Sequence, residues 1–245
     1  MTKYILFASG GNDSVALVAY AKRQMLKNVT VSYSNTGWAS PSWPKRIAAF
    51  RSYVESIGYS FVEVMSDGFE ELVRRKKGFP ANKPKFCTYE LKIRPAMQWM
   101  EIFDPRAEAV CMVGVRREES NARSNWPLWS YDDEAHGGRD LWSPLAGYTA
   151  AERDLLVGDT PMPILPHRSR ECSPCVNSNR ADFRMLPVSD IEKVMALESE
   201  IGKPMFRAAR FMGANGINEV MRWAWSEHGK FLPEVEDCDS GFCGG

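Results

Sequence analysis

Charge of one sign, histidine and long apolar runs are what this chain lacks. Its 245 residues carry 31 Lys and Arg against 31 Asp and Glu, a formal net charge of zero. No global field therefore draws it to nucleic acid or to an anionic surface. No apolar run approaches the length of a membrane span, so no membrane partner is expected. No secretory leader is read ahead of the first apolar segment, and a cytoplasmic setting is the expectation. Internal repeats and long linkers are absent as well. Two common nucleotide signatures are also missing: Gly-Lys-Ser/Thr of the Walker loop, and G-x-G-x-x-G of the dinucleotide folds. What is present is 44% hydrophobic and 25% charged, the balance of a globular domain. The length suits one large domain with a small appendage.

The most informative stretch is Ser9-Gly10-Gly11-Asn12-Asp13-Ser14-Val15. It follows an apolar run from Tyr4 to Ala8 and opens a helical pattern from Val15. Adjacent glycines let backbone approach an anion and take left-handed angles. The N–H groups and positive dipole end of the helix then face negative charge. Ser9 and Ser14 add hydroxyl donors, and Asp13 is suited to hold Mg2+ against phosphates.

Apolar and helical periods alternate over the first half, predicting an α/β doubly wound parallel sheet with helices on both faces. Strands are expected at Lys3–Ala8, Val29–Tyr33, Ser60–Met65 and Ala109–Val115. Helices are expected at Asp13–Met25, Pro41–Ile57, Gly68–Lys76 and Thr88–Phe103. Asn121–Gly147 reads as loop, Thr149–Val157 as a short helix and Gly158–Asn179 as irregular. Helical patterns recur near Val188–Ile201 and Ile217–His228, before a polar tail from Pro233. The division expected is a nucleotide-binding domain over 1–185 and a helical, cysteine-tailed extension over 186–245.

Ligands of such sheets bind at the carboxyl ends of strands. Asn35-Thr36-Gly37 follows the second strand and is thus expected beside the first loop. Gly114 and then Arg116, Arg117 and Arg123 follow the fourth strand. Guanidinium forks there form a receptor for phosphate or sulfate oxygens. Cys172-Ser173-Pro174-Cys175 is a C-x-x-C, which in a reducing compartment means a metal, a cluster or a redox dithiol. With three histidines in the chain, thiolate ligation drawing on Cys87, Cys238 and Cys243 is favoured, as iron–sulfur clusters use. Cys111, inside an apolar strand, reads as a packing residue.

Taken in order, these segments resemble the phosphoadenosine phosphosulfate (PAPS) and adenosine phosphosulfate (APS) reductase family of the adenine nucleotide alpha-hydrolases. Ser9–Val15 resembles their PP-loop and Asn35-Thr36-Gly37 their D-T-G turn. Cys87-Thr88 with Leu91-Lys92-Ile93 and Pro95 resembles C-C-x-x-R-K-x-x-P. Gly114–Ser120 with Arg123 resembles G-x-R-R-x-x-S-x-x-R. Pro144-Leu145 with Tyr148-Thr149 resembles P-L-x-x-W-T, and Glu171–Val176 resembles G-C-x-P-C-T. The resemblance implies an adenine nucleotide at Ser9, Gly10, Gly11, Asn12, Asp13, Ser14, Asn35, Thr36, Gly37 and Gly114. It implies a 4Fe–4S cluster on Cys87, Cys172 and Cys175.

Three departures matter. Where cluster-bearing reductases have paired cysteines, this chain has Phe86-Cys87, so the resemblance leaves two expectations: Cys238 or Cys243 as the fourth ligand, or one iron open to bind sulfur. The tail lacks the reductases' E-C-G-L-H-like end but keeps cysteines. The full S-G-G-x-D-S, which reductases usually lose, is intact, as in ATP pyrophosphatases. That combination resembles the sulfurtransferase subunit of DNA phosphorothioation systems. The expected activity is an ATP pyrophosphatase and sulfurtransferase. Asp13, Arg116, Arg117, Arg123 and Cys243 would do the chemistry, and a sulfur donor or a thioredoxin-like reductant would be the partner. The alternative is an APS or PAPS reductase releasing sulfite. A third reading is a nucleotide- or DNA-binding subunit. It rests on Arg74-Arg75-Lys76-Lys77, Lys83, Lys85, Arg168, Arg170, Arg180 and Arg184, with Trp126, Trp129 and Trp142 as stacking platforms. A nucleic-acid acceptor and a homodimer stay open.

Overall fold

The computed structural model describes residues 1–81 and 85–226. Lys83 and the tail cysteines Cys238 and Cys243 lie outside the described residues. Six strands form one sheet: β1 (Tyr4–Ala8), β2 (Val29–Asn35), β3 (Ser60–Met65), β4 (Val110–Met112), β5 (Trp129–Asp133) and β6 (Arg139–Trp142). Their order is β3-β2-β1-β4-β6-β5. Every pairing is parallel except that of β5 with β6. The chain steps outward from β1 through β2 to β3, then returns to place β4 on the other side of β1. The carboxyl ends of β1 and β4 thus flank the switch point at which such sheets hold ligands.

The helices are α1 (Asn12–Arg23), α2 (Trp43–Ser56), α3 (Phe69–Lys76), α4 (Phe86–Thr88), α5 (Arg94–Phe103), α6 (Ala150–Gly158), α7 (Arg180–Arg184), α8 (Val188–Ile201) and α9 (Ile217–Trp225). A π-helical turn, Tyr89–Ile93, joins α4 to α5. None of the described helices is long and apolar enough to cross a membrane.

Burial on both faces explains why β1 reads as a continuous apolar run. Leu6 and Ala8 pack with α1 and α6, whereas Ile5 and Phe7 pack with Ala96 and Met100 of α5. Cys111 lies fully buried in that second layer, as a packing residue should. A third core joins Phe69 and Leu72 of α3 to Val194 of α8 and Val220 of α9. Phe183, Phe206 and Phe211 meet edge to face within it, at centroid distances of 4.9 to 5.7 Å. Edge-on pairs of this kind suit the ring quadrupole.

The structure corrects the sequence reading at several places: the expected helix Thr88–Phe103 is α-helical over Arg94–Phe103 and π-helical over Tyr89–Ile93. Asn121–Gly147 is not all loop, for it supplies β5 and β6. Both strands are short and charged. Arg139 can lie buried in β6 because its Nε donates to Asp104 at 2.9 Å and its Nη2 to the Asp104 and Met100 carbonyls. The fourth strand is also shorter than Ala109–Val115, pairing over Val110–Met112.

Candidate nucleotide site and thiol cavity

The loop after β1 is braced from within. The Ser9 N–H donates to Ser14 Oγ at 2.9 Å, and the two hydroxyls stand 3.3 Å apart. Gly10 has φ +77°, and a Cβ there would also meet Ile47 Cδ1 at 2.6 Å. Arg46 Nε donates to the Gly10 carbonyl at 2.7 Å and its Nη1 to the Pro163 carbonyl at 3.1 Å. Burial pushes the Arg46 pKa down. Asn12 is a clamp: its Nδ2 donates to Leu165 O, and Leu165 N–H donates to its Oδ1, both at 2.9 Å. These contacts fix the loop so that the α1 N-terminus faces the space above the sheet.

Asp13 is buried and held by two guanidiniums. Arg116 Nε donates to Oδ1 at 2.6 Å, and Arg153 Nη1 lies 3.4 Å from both carboxylate oxygens. The strand end after β4 comes close enough to allow this because residue 114 is glycine. A Cβ there would stand 2.9 Å from the Asp13 carbonyl oxygen. Gly114 thus serves close backbone approach beside the loop.

The three expected arginines take different surroundings. Arg116 and Arg117 line a cleft of about 1060 Å³, together with Asn12, Asp13 and Arg153. Arg117 Nε also donates to the Trp126 carbonyl at 2.8 Å. Arg123 pairs with Glu119 and faces the neighbouring thiol cavity. Burial raises the Glu119 pKa against the pull of Arg123. Arg168, Arg180 and Arg184 line the same cleft.

Asn35-Thr36-Gly37 joins the loop region to the cysteines. Asn35 Oδ1 accepts from Gly37 N–H at 2.9 Å, and Gly37 has φ +64°. Thr36 N–H donates to Glu171 Oε1 at 2.8 Å, and Thr36 Oγ1 donates to the same oxygen at 2.9 Å. Tyr33 OH also donates to Glu171. Glu171, adjacent to Cys172, is buried, and burial raises its pKa despite these donors. Trp38 Nε1 donates to the Pro174 carbonyl at 3.1 Å, completing the hold on the C-x-x-C turn.

Cys87, Cys172 and Cys175 line one cavity with Thr36, Lys92 and Arg123. Burial pushes the Cys87 thiol up to about 12 and raises that of Cys172, with Lys92 opposing both. Lys92 also lines a smaller pocket with Ser9 and Glu171, so it stands between the loop and the thiols. Among the described residues, no three His, Cys, Asp or Glu side chains sit close enough to hold a single metal ion. Three cysteines lining one cavity are a donor set of the chemistry that iron–sulfur clusters take.

The sequence reading missed Arg46, Arg153 and Glu171 as site residues. Arg153 had a local signal. Thr149 and Glu152 form a capping box, with Glu152 N–H donating to Thr149 Oγ1 at 3.2 Å. That box fixes the α6 start and puts Arg153 one turn before Val157, which packs with α1. The basic run on α3 is tied into ion pairs with Glu70, Glu200 and Asp67. Trp142 packs against Trp129 at 5.6 Å, and Trp126 Nε1 donates to Ser143 at 2.8 Å.

Residues 3–195 match the family model of the phosphoadenosine phosphosulfate reductase domain. An uncharacterized 37.8 kDa protein of Escherichia phage 186 is 28% identical over 160 residues, 56% of this chain and 46% of the relative. The chain thus spans under half the length of that curated relative. Among solved structures, a PAPS reductase from Candida auris in complex with phosphate aligns at TM-score 0.48 and 14% identity, over 67% of this chain and 75% of its own. An NH3-dependent NAD synthetase from Campylobacter jejuni aligns at TM-score 0.41 and 12% identity, over 96% and 88%. The chain belongs to the phosphoadenosine phosphosulfate reductase domain family.

Proposed function

We propose that this protein binds ATP on the Ser9–Ser14 loop, adenylates an acceptor oxygen and assists replacement of that oxygen by sulfur. The observation that carries the reading is the complete S-G-G-x-D-S loop opening onto an arginine-lined cleft. In the first step an acceptor oxygen attacks the α-phosphorus, the bond from that phosphorus to the β-bridging oxygen breaks, and pyrophosphate leaves. Ser9, Ser14 and the α1 N–H groups hold the departing phosphates, and Arg116 meets the charge that develops. In the second step a hydrosulfide attacks the activated acceptor and AMP leaves with the oxygen; where a carrier persulfide attacks instead, AMP leaves in the same way and a reductant thiol then cleaves the S–S bond to the carrier, itself becoming oxidised to a disulfide.

Cys87, Cys172 and Cys175 would hold an iron–sulfur cluster, with Cys238 or Cys243 as fourth ligand. When bound, the cluster supplies iron for sulfur binding or electron supply. Lys92 and Arg123 bring positive charge to the same cavity and offset the thiolates. Mg2+ at Asp13 would compete with Arg116 and Arg153 for the same two carboxylate oxygens.

The family match favours one competing reading, an APS or PAPS reductase. There, a thiolate attacks the sulfonyl sulfur, the nucleotide leaves, and a reductant thiol releases sulfite. The test is calorimetric titration of anaerobically prepared protein with ATP, APS and PAPS, with a sulfite assay in excess thiol. Preference for ATP without sulfite is the expected result. Preference for PAPS or APS, or sulfite release from either, would overturn the proposal.

A further inference from the structure

The phosphate end of the site contains a residue that belongs to none of the motifs, Arg153 of α6. Its Nη1 reaches both oxygens of Asp13 at 3.4 Å, and its Nε donates to Asp154 at 2.7 Å. The side chain is 13% exposed, so two carboxylates hold a nearly buried guanidinium in one orientation. Its Nη2 makes no hydrogen bond among the described residues. Beside it, the buried Arg116 Nη1 also lacks a hydrogen-bond partner and lies 3.8 Å from Glu118 Oε1. Both side chains line the cleft. One carboxylate, Asp13, thus fixes two forks whose remaining donors lack partners. Donors aligned in this way fit tetrahedral anions and need little ordering on binding.

The sheet order gives the direction in which a nucleotide would lie. The Asn35-Thr36-Gly37 turn follows β2, on one side of β1, and Arg116 follows β4, on the other. A nucleotide crossing the strand ends with its adenosine toward the turn would lay its phosphate chain along the Ser9–Ser14 loop. Its outer phosphates would then reach Arg116 and Arg153. Resting on the proposed ATP reading, we infer that Arg153 is a specificity-determining residue that grips the terminal phosphates of the nucleotide. It thereby selects a triphosphate over a monophosphate.

The test is calorimetric titration of full-length wild type, Arg153→Gln and Arg153→Lys with ATP and with AMP. Arg153→Gln should weaken ATP about tenfold or more, the size of a lost charge-assisted contact, and AMP less than about twofold. Arg153→Lys keeps the charge without the fork and should recover part of the ATP affinity. Unchanged ATP affinity in Arg153→Gln would overturn the inference. So would an equal loss for ATP and AMP, which marks a mere prop for Asp13. Wild type binding neither nucleotide would instead sink the ATP reading itself.

Discussion

The Gly114 Cα faces the main chain of Asp13 so closely that a Cβ would lie 2.9 Å from the Asp13 carbonyl oxygen and 3.2 Å from its carbon. The contact is backbone on both sides and cannot be relieved by turning a side chain. Gly114→Ala should therefore cost about 1–3 kcal/mol, the usual range for overpacking, and weaken nucleotide binding by displacing the α1 start. Gly147→Ala, with nothing within 4 Å of the added carbon, is the control. Denaturant midpoints and ATP titrations of both variants check the contrast.

Arg116 and Asp13 form an ion pair whose side chains are 7% and 3% exposed. Removing Asp13 leaves the Arg116 charge buried, and removing Arg116 leaves the buried Asp13 with the longer contacts from Arg153. Arg116→Met should lose about 3–5 kcal/mol. Asp13→Asn combined with Arg116→Met should lose less than the sum of the single changes, because each mutation removes the other's penalty. Urea unfolding of the two single variants and the double variant gives the coupling.

Asp104 supplies a pH-dependent share of stability far from the site. It is buried, and burial alone would raise its pKa. The Ala109 N–H, the Arg139 guanidinium and Lys3 outweigh that and hold the carboxyl below its usual value of 3.8. A depressed folded-state pKa contributes stability that is fully present above the usual value and lost as pH falls through the depressed one. Asp104→Asn should therefore be destabilised by about 3–5 kcal/mol at neutral pH, as for a broken buried pair. The gap to wild type should narrow below pH 3.8. Thermal midpoints from pH 7 to pH 3 test the sign, and a constant gap would contradict it.

Much of this was legible in the sequence for a plain physical reason. β1, β2 and the α1 start are buried by local apolar runs, and the loop between β1 and α1 keeps its own spelling. β5 and β6 were not legible, because Arg139 is neutralised by Asp104, 35 positions earlier. The Thr149–Glu152 capping box marks the start of α6, but the pairing of Arg153 with Asp13 spans 140 positions and that of Glu171 with Thr36 spans 135. Such pairings are set by the fold and leave no local pattern. Arg123, expected with Arg116 and Arg117 as an anion receptor, also pairs with Glu119 four residues before it and lines the thiol cavity.

Thr36 should matter to the cysteines as well as to the turn. Its Oγ1 donates to Glu171 and accepts from Cys172 Sγ at 3.6 Å. Thr36→Val keeps the shape but leaves Glu171 short of a donor. A loss of about 1–3 kcal/mol is expected, with faster loss of iron to a chelator than in wild type. Chelation kinetics followed by visible absorbance check this.

Thr36, Glu171 and Lys92 connect the Ser9–Ser14 loop to the cavity lined by Cys87, Cys172 and Cys175, and the proposed cluster would sit in that cavity. Iron and acid-labile sulfide analysis of anaerobically purified wild type, Cys175→Ala and Cys111→Ala tests it most directly. Wild type is expected to hold about four irons per chain, Cys111→Ala the same content and Cys175→Ala far less. Wild type without iron, or Cys175→Ala with its full complement, would contradict it.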